Sequence, residues 1–224
     1  MKNYKLVVIE GVDSSGKQTQ TERLYERLVS ENKMVEKIVF PNYDSDTSFL
    51  VKMYLGGEFG NKPEDVNPYT ASAFFAVDRV GSIRSVWKEK FDGADIVIAD
   101  RYVTSNMIHQ ASKIADEKER NIFLDWVYDF EYNKLEIPKP DLIIFLDMPV
   151  KYAMELMANR PNKITDESKK DIHESDEVYL QKSYDNAVSV AEKYSWNRIS
   201  CVKDGKIRTI DDISEEIYEL VKNL

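Results

Sequence analysis

Several things that announce a function at once are scarce in this sequence. There is one cysteine, Cys201, so no internal disulfide forms and no cysteine-rich metal site is available. The only two histidines, His109 and His173, lack metal-ligand spacing. No apolar run approaches the roughly 20 residues that cross a bilayer. The first apolar stretch, residues 6–9, is too short for a signal-peptide core and runs straight into Glu10 and Asp13. A cytoplasmic chain without membrane attachment is expected. Basic residues number 31 against 40 acidic ones, giving a formal charge of −9. That deficit argues against nucleic-acid partners, whose affinity comes from clustered Lys and Arg releasing counterions. A small anionic ligand needs only a local group of cations and stays open. There is no internal repeat and no low-complexity segment.

What is present alternates between two periods. Short apolar runs bounded by turn residues read as buried strands at 6–9 (LVVI), 35–40, 96–99 (IVIA), 142–146 (LIIFL) and 198–202. Between them lie a polar amphipathic run at 17–32, a long helical run from Asn67-Pro68 to about Lys90, and a closing helix over 209–224. This is an α/β chain with a doubly wound parallel sheet covered by helices on both faces. Residues 159–175 (NRPNKITDESKKDIHES) are polar, contain Pro161 and lack helical apolar spacing; polarity alone reads as a surface loop, and the stretch is the best candidate for an excursion from the fold.

The stretch EGVDSSGKQTQ at 10–20 follows a strand and opens a helix. Its glycines let backbone N–H groups turn inward, and the helix N-terminus adds its dipole. Gly11, Val12, Asp13, Ser14, Ser15, Gly16, Lys17, Gln18 and Thr19 are therefore the candidate phosphate cradle, with Lys17 reaching the β- and γ-phosphates. Gln18 stands where a metal-binding hydroxyl usually does. The anion nest survives that change, with Gln18 contributing chiefly its backbone N–H, and Thr19 offers a shifted hydroxyl.

A phosphate loop alone does not separate switches, motors and kinases. A guanine-reading N-K-x-D is missing, since Asn162-Lys163-Ile164-Thr165 ends in Thr. The third strand ends in Asp100-Arg101-Tyr102. A carboxylate beside an arginine can serve a cation on one side and a second phosphate on the other. Together with FPNY at 40–43, FFAVDRVG at 74–81, DRYVTSN at 100–106 and PKPDLIIFLD at 138–147, the chain resembles the thymidylate kinases from its start to about residue 190.

The resemblance implies a P-loop nucleotide kinase fold: a five-stranded parallel sheet in a single domain over 1–224, with a short lid at about 159–175. It implies transfer of the γ-phosphoryl of ATP to thymidine monophosphate, with Mg²⁺, in a homodimer. It assigns Lys17, Arg101, Arg160 and Asp13 to catalysis, and Asp13 and Asp100 to metal support, directly or through water. It assigns Phe40, Pro41, Tyr43, Phe75, Arg79, Arg101, Asn106 and His109 to the acceptor. In it Phe75 stacks on the base, Arg101 clamps the acceptor phosphate and Asn106 reads thymine N3.

Core packing stays open for Phe75, and core or dimer interface for Phe74 and the 71–76 face. An arginine in FFAVDRV must be paired with something. The chain departs from many relatives at Asn42, where an arginine is common, and at His109, where a tyrosine is. It also has Ser14 and Ser15 where some relatives add an arginine, so the lid's Arg160 is the expected extra cation. A kinase of another nucleoside monophosphate or of a deoxynucleoside is the alternative, and a non-enzymatic P-loop regulator is a more distant one.

Overall fold

The computed structural model describes residues 4–158 and 177–224. The chain runs β1 (Lys5–Glu10), α1 (Lys17–Ser30), β2 (Val35–Val39), α2 (Phe49–Leu55), α3 (Pro68–Ser82), α4 (Lys88–Gly93), β3 (Ile96–Asp100) and α5 (Val103–Ser105). It continues through α6 (Glu117–Tyr128), β4 (Leu142–Asp147), α7 (Val150–Ala158), α8 (Glu177–Lys193) and β5 (Asn197–Ser200). The hairpin strands β6 (Val202–Lys203) and β7 (Lys206–Ile207) follow, then α9 (Ile210–Val221).

The five strands β1–β5 pair in parallel in the order β2-β3-β1-β4-β5. Side chains alternate across a strand, and here both faces are covered. Leu6, Val8, Val97, Ala99 and Phe145 enter one core, while Val7, Ile9, Ile98, Ile144 and Leu146 enter the other. Each of these side chains larger than alanine, buried from water, contributes about 1.5–3 kcal/mol. That explains why the strands read as continuous apolar runs. The register sets Ile9 opposite Asp100, so β1 and β3 end side by side. Ligands of such sheets bind at these carboxyl ends, where the strand order reverses.

Caps written in the sequence fix helix starts. Asn67 accepts from the Tyr69 N–H ahead of Pro68, Asp116 from Glu119, and Thr209 from Asp212. One expectation is refined and one corrected. The run from 68 past 90 is helical throughout but changes type: α3 passes through a wide π-helical turn, Ile83–Trp87, into α4. The wider turn changes the face that follows, and Trp87 is buried with its ring 4.7 Å from that of Phe40. The fifth strand ends at Ser200, not 202, because Val202 leaves the sheet to pair with Ile207. Among the described residues no helix is long and apolar enough to cross a membrane.

Candidate active site

The loop after β1 is shaped for an anion. Gly16 caps α1 with φ +91°, a left-handed conformation that glycine reaches without penalty, and among the described residues no side chain caps the helix. The first-turn N–H groups are thus left to an outside acceptor. A Cβ on Gly11 would lie 2.5 Å from Ser15 Oγ and 3.1 Å from the Leu146 carbonyl, so the cradle excludes one. Ser15 is buried, and its Oγ has no partner among the described residues. Lys17 is 7% exposed, with Nζ 2.9 Å from the Gly11 carbonyl and 2.7 Å from that of Val12. Burial pushes its pKa down from 10.5 to about 8, and the Arg101 charge adds to the shift. Gln18 and Thr19 turn their side chains outward.

Arg101 stands at the end of β3 with φ +65°, a costly backbone for a residue with a Cβ. Its Nη2 is paired with Asp13, its Nη1 lies 3.1 Å from His109 Nε2, and Glu10 is 3.9 Å away. Burial opposes its charge, but Asp13 and Glu10 outweigh that and hold the pKa above its ordinary value. Glu10 itself is fully buried, and its carboxylate accepts from the Gly11 N–H and the hydroxyls of Thr104 and Ser105. One carboxylate therefore ties the phosphate loop to α5 and faces the arginine between them.

Beside Arg101 opens a cleft with a cavity volume of about 80 Å³. All eight residues expected at the acceptor line it: Phe40, Pro41, Tyr43, Phe75, Arg79, Arg101, Asn106 and His109. Asp13 lies at the same wall, where loop and cleft meet. Phe75 both lines the cleft and packs its ring edge-on to Tyr54 at 6.0 Å. Phe74 packs with Tyr54 and Phe59, and Ala71 and Ala76 are buried, so that face of α3 belongs to the interior. Asn42 turns away from the cleft. Its N–H donates to Asp78 at 3.0 Å and its amide to Ser82 at 3.2 Å. Asp78 also accepts from Thr47 at 2.7 Å, which fastens the 40–47 loop to α3.

Sequence reasoning missed four residues here: Glu10, Asp78, Gln110 and Glu131. Gln110 lines the cleft, and its Oε1 is enclosed without a partner among the described residues. Glu131 is the partner that Arg79 required: it accepts from Arg79 Nε at 2.6 Å and Nη2 at 3.2 Å. Burial works against the Arg79 charge, but Glu131 outweighs it and the pKa is raised. Glu10 carried a local signal, an acid between a strand and a glycine loop. Glu131 carried none, lying 52 residues from Arg79. Asp100 ends β3 close enough to raise the Lys17 pKa. Among the described residues no group of three acidic, His or Cys side chains is arranged for a metal ion. Arg160, His173 and the lid at 159–175 lie outside the described residues.

A phosphate loop and a second cation-walled cleft, joined at the carboxyl ends of a 2-3-1-4-5 sheet, define a P-loop kinase that brings two phosphorylated ligands together. The family profile described as "Thymidylate kinase" matches residues 9–204. The thymidylate kinase of Mycobacterium tuberculosis (strain ATCC 25618 / H37Rv) is 32% identical over 159 residues, covering 70% of this chain and 72% of that protein. The probable thymidylate kinase of Thermococcus onnurineus (strain NA1) is 30% identical over 226 residues, 97% of each chain. The human thymidylate kinase is 30% identical over 143 residues, 64% of this chain and 60% of that protein. The chain belongs to the thymidylate kinase family and is a phosphotransferase.

Proposed function

We propose that the cleft holds thymidine monophosphate and the 11–17 loop the phosphates of ATP, so that the γ-phosphoryl passes to the acceptor, giving thymidine diphosphate and ADP. One observation carries the reading. Arg101 lines the cleft and yet is paired with Asp13 of the loop, next to the Val12 carbonyl that holds Lys17 Nζ at 2.7 Å. Donor and acceptor phosphates held by these two cations are adjacent.

The residues present fit the donor. The Ser15 Oγ and the first turn of α1, both without a side-chain partner among the described residues, and the Cβ-free cradle at Gly11 all suit phosphate oxygens. Lys17 Nζ exchanges two carbonyls for the β- and γ-phosphates, and Gln18 and Thr19 supply backbone N–H groups. Arg101 releases Asp13 and presents its planar fork to the acceptor phosphate. Asp100, and Asp13 once released, support Mg²⁺ through water, and that ion supplies further charge neutralisation when bound. No strong general base is required, because the acceptor is already an anion; positioning and neutralisation carry the rate. Arg160, outside the described residues, is the further cation assigned to the donor phosphates.

The base edge supports thymine. Arg79 Nη1 is the guanidinium nitrogen left over after Glu131, and Asn106 keeps Oδ1 after donating through Nδ2. A donor beside an acceptor complements O4 and N3–H. Phe75 stacks on the ring, Phe40, Pro41 and Tyr43 wall the sugar side, and His109 and Gln110 close the far side. The protein works as one domain in the cytoplasm and as a homodimer. Exposed Phe49, Val77 and Val86 support the latter, since Ala71 and Ala76 are spent on the interior.

Acceptor-dependent ADP release across a panel of nucleoside monophosphates tests the reading. The highest kcat/KM is expected for thymidine monophosphate. Release that ignores every acceptor, or that favours cytidylate, sinks it.

A further inference from the structure

Glu131 has no exposed surface and sits behind the cleft wall on the π-helical turn Asp129–Lys134. Besides its two bonds to Arg79, it accepts from Asn106 Nδ2 at 2.8 Å, and the same nitrogen donates to the Ser72 carbonyl at 3.3 Å. The two ends of an asparagine amide are almost equal in size. Only its hydrogen-bond partners decide which end faces outward. A carboxylate accepts and never donates, so Glu131 draws the nitrogen inward and leaves Oδ1 for the cleft. It likewise takes two of the three guanidinium nitrogens of Arg79 and leaves Nη1.

We propose that Glu131 is a positioning residue that sets the hydrogen-bond polarity of the cleft wall, donor at Arg79 and acceptor at Asn106, and thereby selects 4-oxo over 4-amino pyrimidine nucleotides. The inference rests on the cleft being the acceptor site. A 4-oxo ring offers O4 as acceptor and N3–H as donor, matching the wall at both points. A 4-amino ring offers N4–H₂ and a bare N3, so donor meets donor and acceptor meets acceptor. Sites that leave buried polar groups unpaired reject a ligand far more strongly than sites that merely misfit it.

Glu131→Gln and Glu131→Asp separate this role from packing. Glutamine keeps the size but offers one acceptor oxygen, and its own NH₂ then faces either Arg79 Nε or, at the other position, Arg79 Nη2 and Asn106 Nδ2 together. The arginine turns in the first case and the asparagine flips in the second, so the pattern is lost either way. Aspartate keeps two acceptor oxygens, withdrawn by one methylene. The readout is the ratio of kcat/KM for thymidine monophosphate over deoxycytidine monophosphate, with affinity for an ATP analogue as the fold control.

The ratio is expected to fall at least tenfold in Glu131→Gln. In Glu131→Asp both rates fall together and the ratio stays within threefold. The ratio of thymidine to deoxyuridine monophosphate, both 4-oxo, stays within threefold in either variant. A Glu131→Gln enzyme that keeps the wild-type preference overturns the proposal, as does a tenfold collapse of the ratio in Glu131→Asp. If Glu131→Gln does not fold, the aspartate variant decides alone: a retained ratio supports the role and a collapsed one overturns it. A wild-type enzyme without preference for thymidine monophosphate refutes the reading of the cleft itself. A wild-type preference that survives Glu131→Gln refutes only the role of Glu131.

Discussion

Arg101 Nη1 stands 3.1 Å from His109 Nε2, and a guanidinium has only hydrogens to offer. The imidazole nitrogen is therefore the acceptor, which leaves the ring neutral with its proton on Nδ1. His109 and Asp13 together hold the arginine fork from two sides. A hydrogen bond to a charged group contributes about 1.5–3 kcal/mol. His109→Phe is expected to lower kcat/KM for the acceptor by about ten- to a hundredfold while ATP affinity stays unchanged. Steady-state kinetics varying each substrate in turn check this; equal losses for both substrates count against the assignment.

Lys17 carries a cost that the proposed phosphate role explains. A pKa moved from 10.5 to about 8 corresponds to about 3 kcal/mol of unfavourable burial for the cation. Lys17→Met removes that burden together with the charge. Turnover is expected to drop by about 3–4 kcal/mol in the barrier, a few hundredfold, as for loss of one preorganised contact. The thermal midpoint should lie at or above that of the wild type. Turnover near normal is the result that excludes the phosphate role.

The same shift gives a pH dependence with a definite sign. Between pH 8 and 10.5 the unfolded chain keeps a proton on Lys17 that the native chain has lost. The contribution of this group to stability therefore rises with pH through that window. Phosphate anions draw the proton back, so nucleotide binding takes up protons as pH passes about 8, and affinity falls above it. Calorimetry in buffers of different ionisation enthalpy should register that uptake in the wild type and none in Lys17→Met.

Gly11 is the tightest point of the cradle. An alanine there drives its Cβ to 2.5 Å from Ser15 Oγ and 3.1 Å from a backbone carbonyl that cannot swing aside. Gly11→Ala is expected to weaken ATP binding by at least tenfold, measured by titration with a fluorescent analogue. Undiminished affinity would show that the loop does not hold the donor in this geometry.

Asp78 fastens the 40–47 loop through Asn42 and Thr47, and it is 1% exposed. Asp78→Ala leaves the Asn42 N–H buried without its acceptor, at a cost of about 1–3 kcal/mol, while the Thr47 hydroxyl keeps Ser45 and Ser82 in reach. Chemical denaturation should show that loss. KM for the acceptor should rise more than kcat falls, because Phe40, Pro41 and Tyr43 sit on the untied loop. An unchanged KM would detach this loop from acceptor binding.

The parallel strands, the glycine loop between β1 and α1 and most of the residues that line the cleft were legible in the sequence. These are local matters. Buried parallel strands need unbroken apolar runs, as at residues 6–9 and 142–146. A backbone anion nest needs glycine at positions 11 and 16. Phe75 and Arg79 share a helix face because they lie four apart. Tertiary structure alone decided what those side chains can offer. Asn106 could have faced the cleft with either end, and Arg79 with any of three nitrogens, until Glu131 arrived from 52 residues away. Asn42 sat in a phosphate-contact segment until Asp78 and Ser82 claimed it for the scaffold. The reason is physical. Backbone conformation and apolar spacing are set by neighbours in the chain, whereas the polarity a buried amide or guanidinium presents is set by the partner behind it, which only folding supplies.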